Sequence, residues 1–182
     1  LTLTSGTLTM ESGGDFGGNT GWSVQNVTFG DTSAGVTTKT GTGTVLVHGV
    51  LTVSGNHELE AGSVVWELDG TGSVLAVPGT FTAQNSTTTF SGTGAVSIPA
   101  LTYNNLTFTP ASGAPTYTLA SGSHTAQSVL VGDGTNAVMV TSDTNDPLVT
   151  VVGDMRIQDT AEYVAANIND LLIGGSYTNE GT

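Results

Sequence analysis

The segment Gly41-Thr42-Gly43-Thr44-Val45-Leu46 returns almost unchanged as GTGSVL at positions 70–75 and as GTGAVSI at positions 92–98. A second unit, Gly-x-apolar-Thr-apolar, occurs at positions 49–53 and again at 79–83. A looser pair lies at 153–157 and 175–179. The starts of consecutive copies lie roughly 22–30 residues apart, which is typical of one coil of a β-solenoid, whose short strands and turns must stack to bury their apolar face.

Apolar and polar residues alternate within these repeats. Val64, Trp66 and Leu68 share one face of a strand, and Leu1-Thr2-Leu3-Thr4 follows the same period of two. The chain has 33 Thr and 26 Gly, residues that suit strands and closely spaced turns respectively. We therefore predict an all-β fold, a parallel β-solenoid (β-helix) of short strands with coils of about 22–30 residues.

Two stretches fit the pattern less well. Residues 11–35 are rich in glycine around Phe16 and predict an irregular loop or a wide rung. Residues 161–173 carry apolar residues near helical spacing, but we favour two short strands because the repeat period continues through them. No linker divides the chain, so we expect a single solenoid domain over residues 1–182, with irregular first rungs at 1–35 and regular coils at 36–182.

The charge balance excludes several partners. The formal net charge is −13 and the chain has only 2 Lys+Arg, so binding to a nucleic-acid phosphate backbone is not expected. An anionic membrane surface would repel the chain, and no apolar run reaches the ~18–20 residues of a membrane span. The chain has no cysteine, which excludes a small disulfide-stapled domain but not secretion. It begins at a strand-like Leu1 without an initiator Met or a signal peptide, so we expect a processed mature chain or an excerpt from something longer. The acidic balance fits a location outside the cell or on its surface.

The repeat units, together with Tyr103-Asn104-Asn105-Leu106-Thr107-Phe108, resemble the repeats of large bacterial and archaeal surface proteins, such as autotransporter passengers and filamentous-haemagglutinin-like adhesins. The resemblance is one of composition and covers most of the chain from about residue 36. It implies a secreted β-helix that serves in adhesion or as a fibre, and it carries over no functional residue.

The side chains that catalysis requires are scarce. A β-helix polysaccharide lyase needs a cationic base, but Lys39 and Arg156 are far apart in sequence. A glycosidase needs two carboxylates at a defined separation, and the candidates fall on strands, where we expect them to face solvent. These candidates are Glu58, Glu60, Glu67 and Asp69.

The histidines complete no recognisable catalytic or metal motif. His48, His57 and His124 have neither the spacing of a zinc site nor a Gly-x-Ser-x-Gly elbow beside them. We expect each to lie in a turn or on the surface. The chain is therefore predicted not to be an enzyme.

Calcium is the one cofactor that the sequence leaves open. Asp133 lies between two glycines, and Asp143 and Asp146 lie in a polar stretch, so all three could offer oxygen ligands from turns. Their spacing matches neither an EF-hand nor a glycine-aspartate nonapeptide repeat. Aspartate is also a common turn residue in its own right.

Four functions remain in contention. The first is a structural subunit or segment of an extracellular filament or adhesin that associates head to tail through exposed terminal rungs. The second is a carbohydrate-binding surface module that contacts cell-surface glycans, for which Trp22 is the best candidate. An ice-binding protein or a β-helix polysaccharide lyase is less well supported. Ice binding would use the Thr-x-Thr pairs Thr2/Thr4, Thr80/Thr82, Thr107/Thr109 and Thr116/Thr118.

Overall fold

The computed structural model describes residues 1–11, 13–30, 35–169 and 171–182. Within them the chain forms nineteen β-strands and no helix. The strands are β1 (Thr2–Met10), β2 (Gly14–Phe29), β3 (Val36–Val47), β4 (Leu51–Val53), β5 (His57–Glu60), β6 (Ser63–Leu68), β7 (Leu75–Ala76), β8 (Thr80–Thr82), β9 (Thr87–Phe90), β10 (Val96–Ile98), β11 (Thr102–Phe108), β12 (Thr116–Leu119), β13 (Ser123–Val131), β14 (Val138–Thr141), β15 (Leu148–Val151), β16 (Met155–Ile157), β17 (Ala161–Val164), β18 (Leu171–Ile173) and β19 (Tyr177–Asn179).

The strands wind into a parallel β-solenoid of about eight turns, which confirms the predicted fold class. Fifteen strands belong to one sheet, and β10, β12, β14 and β17 form a second. Each strand pairs in parallel with strands one coil away, as β3 does with β2 and β6. The backbone hydrogen bonds therefore run between coils, along the axis of the solenoid.

The alternation read from the sequence sets the core. Along one side, inward residues of successive coils stand in register and form a column that we name the Phe90 column. Its members are at most 2% exposed: Val24, Val47, Leu68, Phe90, Phe108, Val131 and Ile157. Because the side-chain period of a strand is two, each neighbouring residue points outward instead.

A second inward column lies two positions earlier on each of these strands, and we name it the Trp66 column. It runs through Trp22, Val45, Trp66, Thr88, Leu106, Val129, Met155 and Tyr177. Trp66 packs against Phe16 and Phe29 with ring centroids 6.0 and 5.9 Å apart. In the next coils Phe90 stacks on Phe108 at 5.8 Å. The two columns give the solenoid a continuous core that is apolar except at the buried Thr88.

The pairing corrects the predicted coil length. Thr107 pairs with Thr89, so this coil is shorter than the range that the repeats predicted. The pairing of Arg156 with Leu130 makes a longer coil, which lies within that range. The spacing between the copies at 153–157 and 175–179 equals the length of one coil, since Met155 pairs with Tyr177. The longer offsets, from 41 to 70 and from 49 to 79, are not coil lengths.

The longer offsets connect different sides of the solenoid. Residues 41–46 belong to β3, which pairs with β6, whereas β7, at the end of the second copy, pairs with β4. The copy at 49–53 includes β4, but the copy at 79–83 includes β8, which pairs with β5. Similar turn and strand residues occur on every side of a coil. A sequence motif can therefore recur on a different side of the next coil, at an offset longer than one coil.

The first rungs are irregular, as predicted. The glycine-rich stretch forms most of the single long strand β2 and is a wide rung, so the loop alternative is wrong. Its pairing with β3 shifts register at three places between Asp15 and Trp22. Phe16 is buried there and meets Trp22 edge to face at 4.7 Å. Residues 12 and 31–34 of the predicted irregular stretch lie outside the described residues.

The stretch at 161–173 contains β17 and β18 and no helix in its described residues, so the preference for strands is confirmed. Residue 170 lies outside the described part of the chain. Across the described ranges, no helix has the length and apolar character needed to cross a membrane.

Two of the three histidines contradict their predicted surface position. His57 and His124 are 4% and 2% exposed, because both occupy inward positions of their strands. A ring nitrogen of His57, Nε2, lies 2.8 Å from the Thr38 hydroxyl. Nε2 of His124 donates to the Ala120 carbonyl at 2.8 Å. Period-two alternation would have placed both inward had it been extended to histidine.

Truncating the core should destabilise the solenoid far more than truncating its surface. We expect Phe90→Ala to lower the free energy of unfolding by about 3–5 kcal/mol, because it opens a cavity between Leu68 and Phe108. The matched control is Thr89→Ala, which alters the adjacent outward residue and should cost under about 1 kcal/mol. Urea unfolding followed by circular dichroism measures both, and equal losses would contradict the inward assignment.

Acid should also weaken the fold through His124. Burial lowers the pKa of His124 below its ordinary 6.5, and the hydrogen bond to the Ala120 carbonyl opposes the shift only in part. Below pH 6.5 the unfolded chain therefore binds a proton that the folded chain does not. Stability should fall as the pH drops from 7 to 5, by at most about 1.4 kcal/mol per pH unit from this group.

The variant His124→Leu removes this proton. The quantity to compare between the variant and the wild type is the slope of the free energy of unfolding against pH. A difference in their stability at pH 7 does not affect this slope. We expect the slope between pH 7 and 5 to be shallower in the variant, as measured by urea unfolding. An unchanged slope would show that another group carries the pH dependence.

Candidate functional site

Three of the six large apolar residues that stand exposed in the described chain lie in the last coil: Ile168, Leu172 and Tyr177. Tyr177 continues the Trp66 column, in which Met155 is 1% exposed, yet Tyr177 itself is 53% exposed. Nearby, Leu172 is 50% exposed and Ile173 is partly buried against the core. Tyr177 occupies a core position that no further coil covers.

The strands of this coil also have open edges. Among the described residues, β17 pairs only with β14, β18 only with β15 and β19 only with β16. Each strand therefore has one side without a strand partner, although in β17 the Ala161 carbonyl accepts a hydrogen bond from the backbone N–H of Thr182 at 3.1 Å. At the opposite end, β1 pairs only with β2. We name β1 the first edge, and β17, β18 and β19 together the last edge.

The two edges match in direction and in chemistry. All pairs that involve them are parallel, so a strand added to either edge would continue the same ladder. Leu3 and Leu8 of β1 are partly buried and pack on the core, while the threonines between and beside them are exposed. An open parallel edge with inward apolar residues is a template for a further strand.

The aspartates predicted as calcium ligands lie in two different turns. Asp133 is exposed, and its Oδ1 accepts hydrogen bonds from the backbone N–H groups of Thr135 and Asn136 at 2.7 and 2.8 Å. These bonds lower the pKa of Asp133 below its usual value. The carboxylate stabilises its own turn, which is the ordinary role of aspartate at such a position.

Asp143 and Asp146 lie together in the turn between β14 and β15, where both contact Asn167 of the next coil. The amide of Asn167 donates to Asp143, and its backbone N–H donates to Oδ1 of Asp146 at 3.2 Å. The described residues contain no group of three or more His, Cys, Asp or Glu side chains that could hold a metal ion. Calcium binding at Asp133, Asp143 and Asp146 stays a prediction.

Trp22, the residue predicted to contact carbohydrate, belongs to the Trp66 column and is only half-buried. Its ring packs edge to face with Phe16 and is partly buried against the core. A groove of about 450 Å³ opens between β8 and β11, where the ladder of one side is interrupted. Two aromatic residues line this groove: Tyr103, which is 2% exposed, and Phe81, which is partly buried against the core.

The remaining functional candidates are separated by the fold. The four Thr-x-Thr pairs involve β1, β8, β11 and β12, none of which pairs with another, so they form no common array. Lys39 lies 3.5 Å from Glu60, and Arg156 lies 2.9 Å from Glu180. The two cations are thus each held by a carboxylate of a neighbouring coil.

The predicted carboxylates point outward and bind polar residues of adjacent coils. Glu58 accepts hydrogen bonds from Thr37 at 3.3 Å and from Thr82 at 2.7 Å, so it connects three successive coils. Glu67 accepts one from Ser91 at 3.1 Å. These contacts form polar ladders along the outer face.

One of these outward ladders joins three residues that the sequence did not connect. Ser23 of β2, His48 after β3 and Asp69 after β6 lie on successive coils. The Ser23 hydroxyl is 2.9 Å from Nε2 of His48, and Nδ1 of His48 is 3.0 and 2.9 Å from the two carboxylate oxygens of Asp69. A search for residues about one coil apart, rather than for a local motif, would have found them.

No family model, no curated protein sequence and no solved structure matches the chain significantly.

Proposed function

We propose that the chain is a structural subunit or segment of an extracellular filament or adhesin that associates end to end through its terminal coils. The observation that carries the proposal is Tyr177, a member of the inward Trp66 column that stands 53% exposed at the last edge. A further β-solenoid coil placed on this edge would bury the ring as Met155 is buried one coil earlier. The proposed occupant is the first edge of a second copy, which is parallel and carries the inward residues Leu3 and Leu8.

The build of the solenoid suits a load-bearing element. Backbone hydrogen bonds run along the axis, and outward side chains add bonds between coils, as Glu58 does with Thr37 and Thr82. Neighbouring strands in a sheet lie about 4.8 Å apart, so eight coils extend roughly 40 Å. Adding copies end to end would lengthen the rod without a change in its cross-section.

The first edge offers a complementary surface. Leu3 stands in the same column as Val24, at the opposite end of the solenoid from Asn179. A second copy with its β1 on β19 would continue both the parallel ladder and the inward columns. This contact is heterologous and does not close on itself, so it builds a fibre rather than a dimer.

The acidic surface sets the conditions for association. With a net charge of −13, two copies repel each other at low ionic strength, and salt screens this repulsion. Association through apolar contacts and strand pairing should therefore increase with salt. The same charge fits a chain that stays soluble outside the cell, which agrees with the resemblance to surface adhesins.

A charge placed in the inward column at the last edge should block association. We expect the wild-type chain to form end-to-end rods at high concentration and in 0.5 M salt, and Tyr177→Asp to remain monomeric. The reason is that association would bury the new carboxylate without a partner. Sedimentation velocity and negative-stain electron microscopy of the 182-residue chain measure this.

The matched control is Thr178→Asp, which adds the same charge to the same strand on its outward side, opposite Arg156. It should still form rods in 0.5 M salt. Two results would refute the proposal: dispersed wild-type monomers at every concentration and salt, or rods of equal abundance in both variants.

A further inference from the structure

We propose that Ser23, His48 and Asp69 form a nucleophilic site that hydrolyses small carboxylic esters with good leaving groups. This activity goes beyond the structural role proposed above and does not depend on it. The inference starts from connectivity: a hydroxyl, an imidazole and a carboxylate are linked in series at 2.9 Å between Ser23 and His48 and at 2.9 and 3.0 Å between His48 and Asp69. Separate nitrogens of the ring make the two contacts.

The order of these contacts determines the direction of proton transfer. A carboxylate only accepts hydrogen bonds, so Nδ1 of His48 carries the hydrogen that Asp69 binds. In the neutral ring, Nε2 is then an acceptor, and it receives the hydroxyl hydrogen of Ser23. This is the arrangement in which histidine acts as the general base for a serine nucleophile. If Ser23 and Asp69 contacted the same ring nitrogen, that nitrogen could not both donate to Asp69 and accept from Ser23.

The site is accessible and yet partly shielded. The side chains of His48 and Asp69 are 35% and 30% exposed, and Ser23 is half-buried. A small molecule can therefore reach the hydroxyl from solvent. The parallel backbone pairing also fixes the positions of the three side chains, because each belongs to a coil whose backbone is hydrogen-bonded to the next. Such positioning is a large part of what a catalytic group contributes.

The backbone around Ser23 limits the substrate class. The N–H of Ser23 donates to the Leu1 carbonyl at 2.9 Å and that of His48 to the Val24 carbonyl at 2.9 Å, so the ladder occupies the donors that could form an oxyanion hole. The residue paired with Ser23 on β1 is Thr2, whose hydroxyl is a weaker donor to an oxyanion than a pair of backbone N–H groups. Weak stabilisation of the oxyanion favours esters with good leaving groups over amides.

The reaction proceeds in two balanced steps. His48 takes the Ser23 hydroxyl proton at Nε2 while Oγ forms a bond to the acyl carbon. The bond from that carbon to the leaving oxygen breaks, and His48 returns the proton to the departing alcohol. Water then attacks the acyl-Ser23 ester with the same proton transfers and releases the carboxylic acid. Ser23 and His48 are the catalytic residues, and Asp69 is a positioning residue that orients the ring.

The test uses two probes with the 182-residue chain. A fluorophosphonate labels a nucleophilic serine covalently with loss of fluoride, and peptide mass mapping locates the label. Hydrolysis of p-nitrophenyl acetate measures turnover. We expect labelling at Ser23, and we expect Ser23→Ala to lower the ester hydrolysis rate by at least about 10²-fold.

Ser91→Ala is the matched control, because Ser91 is an outward serine of the same side whose hydroxyl bonds a carboxylate, Glu67, and no histidine. It should label and hydrolyse like the wild type. For Asp69, we expect Asp69→Asn to slow labelling by at least about tenfold and Asp69→Glu to restore part of the rate, with thermal melting checked for both. If Asp69 had only a structural role, Asp69→Asn and Asp69→Glu variants of equal stability would be labelled at the same rate.

Any of three results would overturn the proposal. They are absence of labelling at Ser23 in the wild type, labelling of Ser91 to the same extent as Ser23, or an unchanged hydrolysis rate in Ser23→Ala. The labelled position is read from the wild-type chain itself, so the test holds even if a variant fails to fold. Rod formation is measured separately, and its outcome does not alter this one.

Discussion

The structure depends on one interaction, the parallel pairing of each coil with the next. A single coil has only a few inward residues and cannot shield them, so its strands are stable only when neighbours supply both backbone partners and apolar contacts. The Phe90 column shows the consequence, since its members from Val24 to Ile157 are at most 2% exposed. The last coil shows the opposite case, where Tyr177 occupies an inward position but stays exposed.

Stacking in register also explains how much of the fold could be predicted. Alternation located the inward residues Val64, Trp66 and Leu68, because one face of a strand is apolar wherever the core lies behind it. Coil length could not be read from the repeats alone, because the same turn and strand chemistry serves every side of a coil. The motif at positions 49–53 therefore recurred at 79–83 on a different side, and the offset between these copies was not one coil.

Side-chain sites were harder to predict than the fold, for a physical reason. In a solenoid the neighbour of an outward residue lies one coil away in sequence, and coils differ in length, as the pairs Thr89–Thr107 and Leu130–Arg156 show. A local motif search sees none of these neighbours. Ser23, His48 and Asp69 lie in contact, yet 25 and 21 residues separate them in sequence and no local motif includes any two of them. The predicted position of His57 and His124 in a turn or on the surface is wrong, because the alternation of β5 and β13 places histidine inward just as it does an apolar residue.

The same ladder that stabilises the solenoid can therefore carry chemistry without a change in fold. Ser91 and Glu67 form an outward pair with a hydroxyl-to-carboxylate distance of 3.1 Å, which is a structural bond between coils. Elsewhere in the solenoid, the imidazole of His48 stands between Ser23 and Asp69, where it can take the hydroxyl proton while the carboxylate orients the ring. Both arrangements use the same parallel backbone pairing, but Ser91 and Glu67 lie on adjacent coils, whereas Ser23 and Asp69 lie two coils apart with His48 on the coil between them. A filament built from such coils can present chemically active positions on its outer face while its inward columns, which hold the coils together, remain unaltered.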